Sequence, residues 1–498
     1  MSVSGIGGRS QLAVQSLVDM RRQLDDLHRQ LGTGKKSTTH AGLGADRGLA
    51  AGLRAQLASL KSYGETITML GVRLDMSQTV LTRMTALRSE AKASLQQSAE
   101  IRATGQSPAQ DSARHQLDEF LELLNTDING RYLFAGREVD RAPVASAAHI
   151  LDGDGARAGL KQVVTERALA DIGANGLGRL DVSVALGTVS LGEQVAGSPF
   201  GFKLSAVAST LTGVTVGGPA GAPPAISVAL AANPNAGETL TITLDLPDGT
   251  QEAVKLTATT DTPPAAGQFT IGANQTATAA NLHAALTAAV GGAAKTSLAA
   301  ASALAAADDF FNIGPGDPPR RVAGPPFETA TALAAGTPGN TVTWYTGELS
   351  TDPPRSSALG RVDDAVAINY GMRATEDGIR LIVQNMAAFA ATSFDPNAAE
   401  TPARYAELTE RLTPALSGAH GAQRLEDVVA DLAHAQISTN AAKQRHQQTN
   451  SVLNGLLGDI EGVPAEQVAT EILALQTRLQ ASLQTTAILY QLSLTNYL

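Results

Sequence analysis

The chain of 498 residues has no cysteine, a single tryptophan, and aromatic residues at only 4%. Without cysteine, disulfides and thiolate chemistry are excluded, and a zinc site would have to be built from His, Asp and Glu alone. The shortage of aromatics fits a protein of long helices packed through small and aliphatic side chains. No run of eighteen apolar residues occurs, so no membrane-spanning helix is expected. The opening MSVSGIGGRSQLAVQSL lacks a basic region followed by an apolar block, and does not read as a cleaved secretory signal. Basic residues are outnumbered, 37 to 47, for a net charge of −10. That balance argues against a nucleic-acid binder acting by phosphate neutralisation.

Catalytic patterns are missing too. The acidic pairs Asp25-Asp26, Asp118-Glu119 and Asp363-Asp364 are sequence neighbours. On a helix such neighbours point roughly 100° apart, so their spacing does not make a catalytic couple. The eight histidines are scattered with no HExxH spacing, and there is no GxSxG. Around Gly34-Lys35 a phosphate-binding loop would need glycine where Arg29 stands and a hydroxyl where Lys36 stands. Gly42, Gly44 and Gly48 miss the dinucleotide spacing, and no strand precedes them. The expectation is therefore no enzyme: no catalytic residue, no metal ligand and no cofactor.

What the sequence does have is a pair of apolar seams at its two ends. Pro464 suits the first turn of a helix, and neither glycine nor proline follows it. Val468, Ile472, Leu475 and Leu479 step by four, three and four along one helical face, continuing through Ser482, Thr486 and Leu489. Such a rod spans roughly 45 Å and cannot bury its own seam. At the other end Ala13, Leu17, Met20, Leu24, Leu27 and Leu31 alternate four and three without a break. The simplest arrangement pairs the two ends and inserts everything else between them. The candidate assembly interface is Leu17, Met20, Leu24, Leu27 and Leu31 with Val468, Ile472, Leu475, Leu479, Leu489, Leu492 and Leu494.

Between the ends, residues 1–10 carry three glycines and are expected to be disordered in a free subunit. A glycine-rich loop follows the first helix, and a long second helix is expected over about 49–99. Leu53, Leu60, Ile67, Leu74 and Leu81 recur every seven residues there. A third helix is expected over about 109–126. Over 144–357 Ala, Gly, Thr and Pro dominate and helical periodicity fades. LDGDGARAGLKQVVTER predicts a short hairpin and a helix, and TLTITLDLPDGTQEAVKLTAT a β-hairpin around Asp248-Gly249. QFTIGA and VTWYTGE predict strands, with an Ala-rich helix over about 278–290. From about 361 a strand through Ile368 and Tyr370 and a turn are expected to lead into a helix carrying Ile379, Ile382, Val383 and Met386. The last long helix before Pro464 has the register Val428, Leu432, Ala435, Thr439, Ala442, His446, Thr449, Leu453, Leu456 and Ile460, with a polar centre. The expected fold is mainly α at both chain ends, a long antiparallel coiled-coil-like helix bundle, with an inserted mixed α/β, β-rich outer domain. The expected segments are 1–45, 46–143, 144–357, 358–462 and 463–498.

The ending LQASLQTTAILYQLSLTNYL and the segment NGRYLFAGREVDRAP (Asn129 to Pro143) resemble those of bacterial flagellins and hook–filament junction proteins. Thr33-Gly34-Lys35 resembles the turn after the first helix in that family, although of the acidic loop that follows only Asp46 is present. LTRMTALRSEA is similar to the family's long outer-tube helix at Leu81, Arg83, Met84, Leu87, Arg88 and Ala91. The resemblance implies a structural subunit of the flagellar axial filament, with both termini in a helical inner core. It implies copies of itself, flagellin-family subunits and neighbouring hook-associated proteins as partners, with an export chaperone. It also implies an extracellular location reached through the flagellar type III channel. NGRYLFAG favours the junction type over the main filament subunit. A rival from another class stays open: an extracellular adhesin or fibre protein that binds a ligand through its β-rich insert.

Overall fold

A computed structural model describes residues 4–97, 100–418 and 421–495, with side chains described for 11–39, 41–97, 100–418 and 421–488. Its contacts cluster into two compact units. The first comprises residues 1–71, 360–368 and 437–498; the second comprises 72–359 and 369–436. The cut falls inside two long helices rather than at the ends of the insert.

In the first unit, helix α1 is Ser4–Thr33, and α2 begins at Arg47 and runs on to Ser94. Helix α1 starts earlier than expected: Gly5, Gly7 and Gly8 lie within it. Glycine costs a helix only about 1 kcal/mol each and does not block it as proline would. Helix α1 ends on Gly34, whose left-handed φ of +67° lets its N–H reach the Gln30 carbonyl at 2.7 Å. At the far end of the chain, α10 (Leu425–Glu461) is followed by α11 (Ala465–Thr495). Helices α1 and α11 lie against each other. The chain ends therefore pair, as the two seams require.

The α10 register differs from expectation in its last third. His446 and Leu453 are buried, but Thr449 and Leu456 are exposed, and Asn450 and Leu457 face inward instead. After His446 the inward stripe takes a step of four and then three, which keeps a helix of 3.6 residues per turn facing its neighbour.

The second unit combines helices and sheets. Helix α3 (Pro108–Leu124) opens with a reciprocal cap: Ser107 Oγ accepts the Gln110 N–H at 3.2 Å and Gln110 Oε1 accepts the Ser107 N–H at 2.9 Å. Strands β1 (Asp127–Ile128) and β2 (Arg131–Tyr132) form a small hairpin. In the stretch LDGDGARAGLKQVVTER the expected helix is α5 (Leu160–Ile172), but in place of the expected hairpin it has the end of α4 (Ala147–Asp152) and a loop. Between them the loop 153–159 folds on itself, with Asp154 holding the Arg157 N–H at 2.8 Å.

Two four-stranded sheets follow. One has the order β3-β4-β7-β6, from β3 (Leu180–Ala185), β4 (Thr188–Glu193), β6 (Val214–Ala220) and β7 (Ala225–Leu230), all antiparallel. The other has the order β10-β9-β8-β5, from β5 (Lys203–Ser209), β8 (Thr239–Asp245), β9 (Gln251–Thr259) and β10 (Gln268–Thr270). Strands β8 and β9 are the expected hairpin, with Ile242 opposite Val254 and Leu240 opposite Leu256, all buried. Strand β10 adds in parallel to β9.

Helix α6 (Gln275–Ala293) is capped by Asn274, which accepts the Ala277 N–H at 2.9 Å. Its Ala279, Leu282, Leu286 and Val290 join Leu240, Ile242, Leu244 and Leu256 in one core. A π turn over Ala294–Leu298 leads into α7 (Ala299–Phe311), a helix absent from the sequence reading. Short strands β11 (Arg320–Val322) and β12 (Leu333–Ala335) pair in this unit, whereas β13 (Leu359–Arg361) and β14 (Ala367–Asn369) pair in a hairpin that falls mostly in the first unit. Trp344 is fully buried but is not in a strand. Its Nε1–H donates to the Phe311 carbonyl at 2.9 Å, and its ring lies 5.3 Å from that of Phe311. The apolar tone of VTWYTGE thus comes from burial of a loop, a signal that periodicity does not separate from a strand. Helices α8 (Asp377–Ala391) and α9 (Thr401–Leu416) complete the unit, α8 packing on α3, α7 and α9.

Candidate assembly interface

The site is built on the α1–α11 pair of the first unit. Val468, Ile472 and Leu475 are buried, Val468 to 2% exposure, and Leu479 is half-buried. From α1, Leu17, Met20, Leu24 and Leu27 are half-buried, whereas Leu31 stays 42% exposed. Leu489, Leu492 and Leu494 lie outside the residues whose side chains are described. Among the described side chains the pair buries the first part of the α11 seam, half-buries that of α1 and leaves Leu31 open.

A polar knot at the base of the pair was not anticipated. The Lys36 N–H donates to the Glu461 carbonyl at 2.7 Å, and the Val463 N–H to the Gly34 carbonyl at 3.1 Å. The Glu461 carboxylate, 7% exposed, meets Arg54 at 2.7 Å and Lys35 at 3.8 Å. One acid thus ties together the end of α1, the start of α2 and the end of α10. Its sequence signal was a lone acid just before the Gly462–Pro464 break, facing a Lys-Lys turn more than four hundred residues away. No local pattern joins those two places.

Farther along the same unit, the polar seam of α10 meets α2. His446 is buried, and neither of its ring nitrogens makes a hydrogen bond. Its Nε2 is 3.6 Å from Asp363, and its ring stands edge-on to that of Tyr63 at 6.0 Å. The Tyr63 hydroxyl donates to Asp364 at 2.6 Å, and that bond raises the tyrosine above its ordinary range. Among the described residues no cluster of three or more His, Asp or Glu side chains assembles as a metal site.

The helix pair also carries a second set of large apolar side chains. Leu12, Val14 and Val18 on α1 are 72%, 50% and 44% exposed. On α11, Leu473, Leu483 and Ile488 are likewise exposed. Large aliphatic side chains repeated along an elongated surface mark a contact surface more often than isolated ones do. Chemically the arrangement can bury apolar area and form ion pairs.

No curated protein matches the chain. Among the described residues no helix is long and apolar enough to cross a membrane. Residues 9–138 match the model of the bacterial flagellin N-terminal helical region, which covers α1, α2, α3 and the β1–β2 hairpin. Helical chain ends around a central β-rich, mixed α/β insert are consistent with flagellin architecture. In that N-terminal region the chain is similar to the bacterial flagellins, a family of structural subunits of the extracellular flagellar filament rather than of enzymes.

Proposed function

We propose that this flagellin-type subunit assembles by docking the open faces of its paired terminal helices against the same helices of neighbouring subunits. One observation carries the reading: pairing α1 with α11 leaves Leu12, Val14, Val18, Leu473, Leu483 and Ile488 exposed along the rods. Covering such side chains stabilises contact by roughly 25 cal/mol for each Å² removed from water. Contacts between unlike faces that do not close into a ring produce an open helical polymer.

On this reading Leu17, Met20, Leu24, Leu27, Leu31, Val468, Ile472, Leu475 and Leu479 set the geometry of the pair, and Leu489, Leu492 and Leu494 extend it. The segments 1–45 and 463–498 form an inner core, 46–143 and 358–462 a surrounding bundle, and 144–357 an outward projection. The NGRYLFAGREVDRAP segment supports the junction role, with a short adaptor of few copies meeting flagellin and hook-associated subunits. Export proceeds through the flagellar channel.

Removing residues 464–498 tests the mechanism. The truncated chain is expected to be soluble and monomeric; a truncated chain that still formed polymers would sink the proposal. Electron microscopy of cells lacking the protein tests the role. Hooks without filaments, with flagellin shed into the medium, are expected of a junction protein. Normal filaments would reject it.

A further inference from the structure

The second unit contains a cavity of about 710 Å³ lined by residues of α5, the π turn after α6, α7, the α8–α9 connection and α9. Its wall is largely apolar, including Val164, Leu169 and Leu298. That volume lies within the roughly 300–1,000 Å³ range of small-molecule sites, which combine apolar walls with a few polar groups.

The cations on this cavity are not equivalent. Lys161 is neutralised by Asp152 at 2.6 Å, and Lys295 by Glu400 at 2.9 Å. Arg404, on the first turns of α9, has no such partner. Its Nε is buried without a hydrogen bond, and no carboxylate pairs with it among the described residues. The guanidinium is held over the Phe394 ring at 5.2 Å, and burial draws its pKa below the usual arginine value. The free-standing acid on the lining, Asp395, turns Oδ1 to the Asn397 N–H at 2.9 Å. A part-buried guanidinium without a counter-ion is costly, and a ligand oxyanion would supply what is missing.

We infer that this cavity is a binding site for a small carboxylic acid with an apolar body, its carboxylate on Arg404 and its body against Val164, Leu169 and Leu298. This site is independent of the terminal helices and of the assembly reading. The planar fork of the guanidinium favours a carboxylate over a neutral amide of the same shape.

The test uses the full chain and three free acids, octanoate, phenylacetate and benzoate, titrated by calorimetry beside their primary amides. At least one acid is expected to bind saturably and at least tenfold more tightly than its amide. Arg404→Gln is expected to lose tenfold or more, while Arg404→Lys retains part of the affinity. Ala168→Phe, which fills the cavity from α5 and leaves the cation in place, is expected to abolish binding. Fold integrity of each variant is read from Trp344 fluorescence. No saturable binding of any of the three acids, or equal affinity for acid and amide, overturns the inference. So does unchanged affinity in Arg404→Gln. Where Arg404→Gln does not fold, Ala168→Phe decides, and unaltered binding in that variant overturns it.

Discussion

Val468 on α11 and Leu282 on α6 are both buried aliphatic side chains, yet they sit in different kinds of structure. Leu282 belongs to a core closed on every side by α6 and the two sheets of the second unit. Val468 belongs to a two-helix seam whose outer flanks carry exposed Leu473 and Leu483. A closed core spends its apolar surface within one chain. An open seam keeps some in reserve for contact with another. On the proposed reading, the same residue types encode stability in one unit and association in the other.

The largest expected effect lies in the closed core. Leu282→Ala removes a side chain with no exposure and should cost about 2–5 kcal/mol, as buried leucine truncations do. Urea unfolding followed by Trp344 reports on this unit alone, because the chain has one tryptophan and it lies there. If Leu282→Ala proved neutral, the contrast between closed core and open seam would fail.

The knot at the base of the helix pair comes next. Glu461→Ala strands Arg54 and Lys35 and should loosen the ends of α1 and α11 by about 1–3 kcal/mol. That is less than a fully buried pair, because Arg54 is 40% exposed. Hydrogen exchange of the α1 amides should rise while the Trp344 transition stays in place. A shift of both together would show that the two units do not unfold separately.

A smaller effect is tied to pH. Asp309 is pushed up to about 6 because burial outweighs its 2.7 Å pairing with Arg167, with Asp308 adding repulsion. The folded state therefore holds its proton in a window where the unfolded chain, near 4, has released it. Stability must then fall as pH rises from about 4 to about 6. Asp309→Asn should flatten that fall by on the order of 1–2 kcal/mol, read as the difference between urea midpoints at the two ends of the window. An unchanged slope in the variant would remove Asp309 as its source.

How far the sequence reveals each region follows from the range of the forces involved. The terminal helices and α2 were legible because a 3.6-residue period is written locally; Leu53, Ile67, Leu74 and Leu81 are buried and Leu60 half-buried, as their heptad spacing requires. The β8–β9 hairpin was legible for the same reason, through its alternation and the Asp248-Gly249 turn. The β3–β4–β7–β6 sheet was not. Its strand VTVGGPA shows little apolar alternation although its partner follows after a short turn, and the β4–β7 pairing joins strands far apart in the chain. Helix α7, AAASALAAADDFF, is apolar nearly all round and so has no stripe to read. The Glu461 knot and the Arg404 cavity depend on residues that tertiary structure alone brings together.

The smallest effect on folding sharpens the comparison most. Leu473 on α11 is 65% exposed, so Leu473→Ser removes almost no buried area within the subunit. Its cost to monomer stability should lie within about 0.5 kcal/mol. If the open face is an assembly surface, the same change deletes a contact repeated at every subunit, and small losses accumulate along the polymer. Polymerisation followed by light scattering should therefore require several-fold more protein, while melting of the monomer is unmoved. Val468→Ser should do the reverse in the monomer, loosening α11 directly because that side chain is already buried. Should Leu473→Ser weaken the monomer yet leave assembly untouched, the exposed stripe would be packing surface of the subunit itself, and the division of labour between seam and core would have to be redrawn.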